Sequence, residues 1–163
     1  MEKTAEKEKF TLVLFSGDLD KALAAFILAT TAASMGMEVT MFFTFWGLNV
    51  IKRNQGGIKS KGVMLRMLNT LNRGGSERLK LSRFNMLGLG TWMMKRLMKQ
   101  AKYPSIDEFI KMAKDLGVKM VPCSTSCGLL GLPDDAFRSG IMDQAGAAFF
   151  LAQAKESKVT LFI

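Results

Sequence analysis

The chain contains two cysteines, Cys123 and Cys127, which are four residues apart in the stretch VKMVPCSTSCGLLG, residues 118–131. The apolar residues before them are typical of a short buried strand, and Pro122 ends it because proline cannot donate a ladder hydrogen bond. Three hydroxyl-bearing residues that favour a helix N-cap follow: Ser124, Thr125 and Ser126. The pattern predicts a strand, a turn and a helix, with Cys123 between the strand and the helix.

This position favours a thiolate at Cys123. Free N–H groups and the positive end of the helix dipole stabilise an anion at the beginning of a helix, so the pKa of the thiol should be lowered. A sulfur with a lowered pKa is nucleophilic near neutral pH. In open α/β sheets, ligand sites also lie outside the carboxyl ends of the strands. Both arguments select Cys123 as the candidate catalytic nucleophile, and the alternative is a small buried hydrophobic residue.

Cys127 is a candidate resolving or accessory thiol. Residues four apart in a helix lie on the same face at about 5–6 Å, which is near the Cα spacing of a disulfide. A redox pair of Cys123 and Cys127 is therefore feasible, and a place for Cys127 in the core is the other interpretation.

The composition excludes several kinds of site. The chain has no histidine, which excludes Ser-His-Asp and Cys-His catalysis and every imidazole metal site. Two cysteines alone cannot complete an ordinary four-ligand zinc site, so we predict no metal and no cofactor. The charged N-terminus does not resemble a signal peptide, and we expect a cytoplasmic protein with reduced thiols.

The positive charge of the chain is concentrated in one segment. Residues 52–102 contain 13 lysines or arginines and a single acid, Glu77, whereas the rest of the chain is slightly acidic. The default interpretation is a solvated surface. The functional alternatives are a dock for an acidic partner or for an anionic membrane surface. A site for nucleic acid is disfavoured because the segment has few aromatic residues for stacking.

Apolar patterning predicts a single α/β domain in three layers. Strands are predicted at residues 10–15, 38–45, 118–121 and 159–163. Helices are predicted at about 20–35, 91–102, 105–116 and 140–154. The third of them begins with the capping-box pattern S-x-x-E, from Ser105 to Glu108. Residues 1–9 are expected to be a flexible tail, 10–163 the domain, and about 52–90 a basic insertion in which we expect a fifth strand. A short strand or a helix at 63–71 fits the sequence of the insertion.

The carboxyl ends of parallel strands meet at one edge of a sheet. Residues after the first two strands should therefore lie near Cys123 and its three hydroxyl-bearing neighbours. We predict a pocket that contains Gly17, Trp46, Gly47 and Asn49 beside Ser124, Thr125 and Ser126. Asp18 or Asp20 is expected to cap the first helix, and the alternative for these two residues is a general acid or base at the end of the first strand.

Three stretches of the chain resemble a known family. They are GMEVTMFFTFWGLN at 36–49, MLGLGTWMMKRLMK at 86–99 and SIDEFIKMAKDLGVKMVPC at 105–123. Together they are similar to the DsrE/DsrF-like family of small sulfur-handling proteins, and most closely to its DsrE2-type branch. The family cysteine that follows the third predicted strand matches Cys123.

The resemblance implies a flavodoxin-like sheet, a homo-oligomer and sulfur trafficking. Cys123 would be the nucleophile of a persulfide carrier or a sulfurtransferase enzyme, and the partners would be sulfur donor and acceptor proteins or small sulfane-sulfur compounds. Two other hypotheses stay open. One is a non-catalytic oligomeric module that docks a partner or membrane through residues 52–102, and the other is a thiol redox protein that uses Cys123 and Cys127.

Overall fold

In the computed structural model, which describes residues 7–54 and 62–163, four parallel strands form one sheet. They are β1 (Lys9–Leu14), β2 (Glu38–Phe43), β3 (Lys119–Pro122) and β4 (Val159–Phe162). Their order across the sheet is β3-β2-β1-β4. The predicted α/β fold with a parallel sheet is confirmed. Most of the expected flexible tail falls outside the described residues, and β1 begins at Lys9.

The described residues form seven α-helices, linked by turns and short 3₁₀ segments. They are α1 (Leu19–Ser34), α2 (Leu48–Ile51), α3 (Val63–Leu71), α4 (Leu89–Gln100), α5 (Ile106–Asp115), α6 (Ser124–Leu130) and α7 (Ala147–Glu156). The capping box predicted at the beginning of α5 is present, because Ser105 and Glu108 each bond the other's backbone N–H.

The prediction of a fifth strand in the insertion is wrong for residues 52–54 and 62–90, the part of the insertion that the structure describes. Residues 62–90 form helices and turns, because Leu65 and Leu68 recur at helical spacing on the side of α3 that packs inward. Residues 55–61 lie outside the described residues. The outer edge of β3 is covered instead by residues 142–145, whose backbone donates to Met120 and Pro122 at 2.9 and 3.0 Å.

The same edge pairing corrects the predicted helix at 140–154. Residues 142–145 are extended beside β3, and Ala145 forms a parallel bridge with Cys123. The helix therefore begins only at Ala147. The small residues of the segment favoured a helix locally, but hydrogen bonds to a distant strand determine its conformation.

The sheet separates two apolar cores of different size. The larger core lies between the sheet and helices α1 and α5, and its strand residues alternate along the chain: Leu12, Leu14, Met41, Phe43 and Met120. The smaller core lies on the opposite face, where Phe42 and Val121 pack against Phe149 and Phe150 of α7. Helices thus cover both faces, which explains why β1 and β2 are apolar along almost their whole length.

The expected capping of α1 by aspartate side chains is wrong. Asp18 occupies the N-cap position, but its carboxylate accepts a hydrogen bond from the Ser16 hydroxyl and makes no cap bond. Asp20 instead accepts from the backbone N–H and the hydroxyl of Ser82, at 2.9 and 2.6 Å. The Leu19 N–H donates to the carbonyl of Lys80. The amino end of α1 is therefore used to hold the insertion.

We predict that Gly47→Ala destabilises the fold. The Gly47 N–H donates to the Phe15 carbonyl at 2.7 Å, and a Cβ at this position would lie 2.0 Å from the Leu14 carbonyl oxygen. Backbone atoms would have to move, at a cost of about 2 kcal/mol in the free energy of unfolding. Urea denaturation of the variant and the wild type measures this difference.

The matched control is Gly128→Ala in α6. No atom lies within 4 Å of a Cβ built there, and the residue is helical and exposed. Alanine should therefore stabilise the protein by about 0.5–1 kcal/mol, because it loses less backbone entropy than glycine. Equal effects of the two substitutions would contradict the close approach of Gly47 to β1.

Candidate functional site

Cys123 lies at the end of β3 and at the N-cap of α6, as the sequence predicted. Its backbone N–H donates to the Phe43 carbonyl of β2 at 2.8 Å, and its carbonyl accepts from the Cys127 N–H at 2.9 Å. The residue is only 6% exposed and belongs to the smaller core. The backbone at Cys123 is thus fixed from both the sheet and the helix.

The pKa of the Cys123 thiol lies below its ordinary value although the residue is buried. Burial is the largest effect and opposes ionisation. It is outweighed by polar groups that favour the thiolate, which are the N–H groups of Ser126 and Thr125 and the mutually hydrogen-bonded hydroxyls of Ser126 and Thr44. A buried sulfur with several donors is suited to hold a negative charge.

Thr44 is a site residue that the sequence analysis missed. It directly follows β2, and its hydroxyl lies 2.7 Å from the hydroxyl of Ser126 in α6. The signal was available, because a hydroxyl-bearing residue at the carboxyl end of the neighbouring strand must lie at the same edge as Cys123. We use the name Cys123 site for Cys123, Thr44, Thr125 and Ser126.

The three hydroxyl-bearing residues after Cys123 have different positions. Ser126 is buried and donates to the sulfur through both its backbone and its side chain, whereas Thr125 is exposed and contributes its N–H. The Ser124 N–H donates to the Ala145 carbonyl at 2.9 Å. Ser124 therefore fixes the chain beside the site, and the other two residues act on the sulfur.

Cys127 is in a different environment from Cys123. It is fully buried in the larger core, and both cysteines are free thiols. Burial raises the pKa of the Cys127 thiol to about 12, and nearby Cys123 and Asp134 add to the rise while Lys52 opposes it. Cys127 is therefore protonated and a poor nucleophile at neutral pH, which does not favour the predicted resolving role.

The other predicted pocket residues lie in or under a cavity next to the Cys123 site. Gly17, Trp46 and Asn49 line a cavity of about 580 Å³ at the carboxyl ends of β1 and β2. The cysteines and residues 124–126 are not in its lining. Gly47 is buried beneath it against Leu14. The structure thus divides the predicted pocket into the Cys123 site and this cavity, which we call the basic cavity.

Residues 7–54 and 62–163 contain no group of three or more Cys, Asp or Glu side chains placed to hold a metal ion. Over the same ranges, no helix has the length and the apolar character that crossing a bilayer requires.

Comparisons with known proteins agree on one family. The profile of the DsrE/DsrF/DrsH-like family matches residues 6–162. The uncharacterized protein YrkE of Bacillus subtilis is 40% identical over 160 residues, which cover 98% of this chain and 99% of YrkE. The sulfur carrier protein DsrE2 of Allochromatium vinosum is 34% identical over 166 aligned residues, covering 97% of this chain and 99% of DsrE2.

Two solved structures share the fold. The ychN protein of E. coli superposes with a TM-score of 0.56 at 9% identity, and the match covers 96% of this chain and 99% of ychN. MTH1491 of Methanobacterium thermoautotrophicum, a protein of unknown function, gives a TM-score of 0.53 at 11% identity, covering 95% of this chain and 99% of MTH1491. At these identities the likeness concerns the fold alone.

We predict that Ser126→Ala raises the pH at which Cys123 becomes reactive. The substitution removes a hydroxyl that stabilises the thiolate, so the pKa of Cys123 rises and alkylation at neutral pH slows. The measurement is the rate of iodoacetamide modification against pH, in the Cys127→Ser background so that Cys123 is the only thiol.

Ser124→Ala is the control for this experiment, because it removes the same group from an adjacent residue whose hydroxyl is not among the main donors to the sulfur. Its pH profile should coincide with that of the parent. If both serine variants shift the profile equally, the hydroxyl of Ser126 is not what stabilises the thiolate.

Proposed function

This chain belongs to the DsrE/DsrF/DrsH-like family, and we propose that it carries sulfane sulfur as a persulfide on Cys123. Family membership and the likeness to a sulfur carrier protein indicate a sulfur-related role. The observation that carries the finer proposal is the environment of Cys123. Donors from Ser126, Thr44 and Thr125 keep the pKa of a buried thiol below its ordinary value.

Loading of Cys123 is a thiolate exchange that needs no separate oxidant. The Cys123 thiolate attacks the outer sulfur of a donor persulfide, a new S–S bond forms, and the S–S bond of the donor breaks. The donor leaves as a thiolate and takes up a proton. The same exchange in reverse hands the outer sulfur to an acceptor thiolate and restores Cys123.

The donors around the sulfur support both directions of the exchange. A thiol with a lowered pKa is ionised when it attacks, and it is also a good leaving group when the sulfur is handed on. Phe42 and Val121 belong to the same small core as Cys123. They shield the inner sulfur of the persulfide, which is the sulfur of Cys123 itself, from water. Whether the protein turns over as a sulfurtransferase or only carries sulfur, this first step is the same.

The redox alternative is less well supported. A disulfide between Cys123 and Cys127 requires the second thiol to ionise, and burial raises the pKa of Cys127 to about 12. The two side chains also pack into different cores. The proposed partners are therefore sulfur donors and acceptors, either proteins or small sulfane-sulfur compounds, and the proposed location is the cytoplasm, where thiols stay reduced.

We predict that incubation with inorganic polysulfide adds sulfur to Cys123. Intact-protein mass spectrometry should find a gain of about 32 Da that dithiothreitol removes, because a persulfide is a reducible S–S bond. Cys127→Ser should gain the same mass, and Cys123→Ser should gain none. Equal gain in Cys123→Ser, or no gain in the wild type, would reject the proposal.

A second proposal concerns the apolar surface beside the insertion. Between Phe84 and Leu97 several large side chains are exposed, including Phe84 at 83%, Leu87 at 108% and Trp92 at 58%. We call these residues of the 84–97 segment the α4 surface. Several large apolar side chains exposed within one short segment are typical of an interface. The α4 surface lies within residues 52–102, which are basic, whereas the rest of the chain is slightly acidic, so a different face of a second copy offers it complementary charge.

We predict that Trp92→Glu dissociates a homo-oligomer. A buried unpaired carboxylate at an interface is costly, so the variant should elute as a monomer while the wild type does not. Light scattering after size exclusion gives the mass. Met35→Glu is the control, because Met35 is 75% exposed at the end of α1 and lies outside the α4 surface. A monomeric wild type would contradict this proposal and favour a membrane or another partner as the occupant.

A further inference from the structure

The basic cavity lies beside the Cys123 site and has no part in the proposed sulfur chemistry. Its floor is formed by residues at the ends of the first two strands, including Phe15, Gly17 and Trp46. Its other wall consists of residues 70–74 and 78–80, which belong to the insertion. The cavity thus occupies the edge where open α/β sheets bind ligands, and the insertion completes it.

The wall that the insertion contributes is fixed to the domain. The Asn49 amide donates to the Asn72 side chain at 2.8 Å, and the buried Lys52 donates to the Asn72 carbonyl at 3.3 Å. The Gly75 N–H donates to the Asn49 carbonyl at 2.7 Å. Further along, Ser82 is held by Asp20 of α1. Both ends of this wall are anchored, so the cavity is formed before any ligand binds.

The lining of the basic cavity has an excess of positive charge. Four basic residues line it, Lys21, Arg73, Arg78 and Lys80, against the single carboxylate of Asp18. That carboxylate pairs with Lys21 at 3.0 Å, and Arg78 donates to the Gly74 carbonyl. Among the described residues Arg73 and Lys80 have no carboxylate partner. Two unpaired cations fit a dianion.

Arg73 is held at the cavity by its backbone. Its neighbour Asn72 makes the bonds to Asn49 and Lys52, and Gly74 has a positive φ of 65°. A Cβ on Gly74 would lie 2.7 Å from Lys52 and 2.9 Å from the Asn49 amide oxygen. Only glycine allows the backbone to pass this close to Lys52 and Asn49 with a positive φ, and this backbone path places the adjacent Arg73 at the cavity.

The cavity also offers apolar surface next to these cations. Phe15 and Trp46 line it and are 38% and 44% exposed. Exposed aromatic rings beside unpaired cations suit a molecule that combines a flat apolar part with an anionic group. An inorganic anion would contact the cations of this lining but not its aromatic rings.

We propose that the basic cavity binds a small organic phosphate, in which a phosphate monoester is joined to a flat apolar group. The phosphate carries between one and two negative charges at neutral pH and lies between Arg73 and Lys80, where an arginine can hold it through two hydrogen bonds. The apolar part lies against Trp46 and Phe15. This assignment gives the insertion a role of its own and does not depend on the proposed function of Cys123.

Trp46 allows a direct test with phenyl phosphate as the probe. The chain has two tryptophans, so Trp46 is the only one in a Trp92→Phe background. Titration with phenyl phosphate should change its fluorescence saturably. Arg73→Gln should weaken the fitted Kd at least tenfold, because it removes a cation that contacts the phosphate.

Three controls make the test decisive. Arg66→Gln removes the same charge from the same insertion at a residue that does not line the cavity, and it should leave the Kd unchanged. Inorganic phosphate should bind at least tenfold more weakly than phenyl phosphate. Cys123→Ser should bind the probe normally, which separates this proposal from the persulfide. No saturable signal, equal loss in both arginine variants, or equal binding of inorganic phosphate would overturn the assignment.

Discussion

At the edge of the sheet where the carboxyl ends of the strands meet, the structure depends on one constraint, the need to surround a buried sulfur with hydrogen-bond donors. Cys123 is removed from water, and burial alone would keep its thiol protonated. The opposing donors come from two elements, Thr44 at the end of β2 and residues 125–126 at the beginning of α6. They act together only because β2 and β3 are adjacent parallel strands that end level with each other, Phe43 beside Pro122.

The same edge contains two kinds of site with different electrostatics. At the Cys123 site, neutral hydrogen-bond donors stabilise the negative charge of one sulfur. The main contributors to the pKa of this thiol include no lysine or arginine. At the basic cavity, arginine and lysine side chains provide full charges. The insertion makes this difference, because it adds Arg73 and Lys80 beside β1 and β2 and leaves Cys123 with α6 and α7.

Much of the fold could be predicted from the sequence, because the relevant signals are local. Continuous apolar runs indicated the strands that are covered on both faces, and Ser105 with Glu108 indicated where α5 begins. Cys123 was placed correctly because Pro122 and the following hydroxyl-bearing residues determine a strand end and a helix start. The prediction of α7 failed at 140–146, where a turn at Gly140 is followed by residues 142–145 that hydrogen bonds to β3, distant in sequence, keep extended.

The site was predicted less completely than the fold. Strand order was enough to bring Gly17, Trp46 and Asn49 to the same edge, but it could not separate them from Cys123. That separation depends on the insertion, in which α3 exposes Val63, Met64, Met67 and Leu71 and so lacks the pattern of a buried element. The role of Thr44 depends on a single side-chain contact across the sheet edge.

A sulfur carrier must give up the sulfur that it accepts, and single-turnover transfer from Cys123 to glutathione measures this step. The protein is loaded with polysulfide, separated from the excess polysulfide and mixed with glutathione. Mass spectrometry then measures the masses of the protein and of the glutathione product. We expect attack on the outer sulfur, because the inner sulfur is buried and Cys123 is a stabilised leaving group. Glutathione persulfide and unmodified protein should form together. Release of hydrogen sulfide with a protein–glutathione disulfide, or sulfur that stays on the protein, would contradict a carrier role for Cys123.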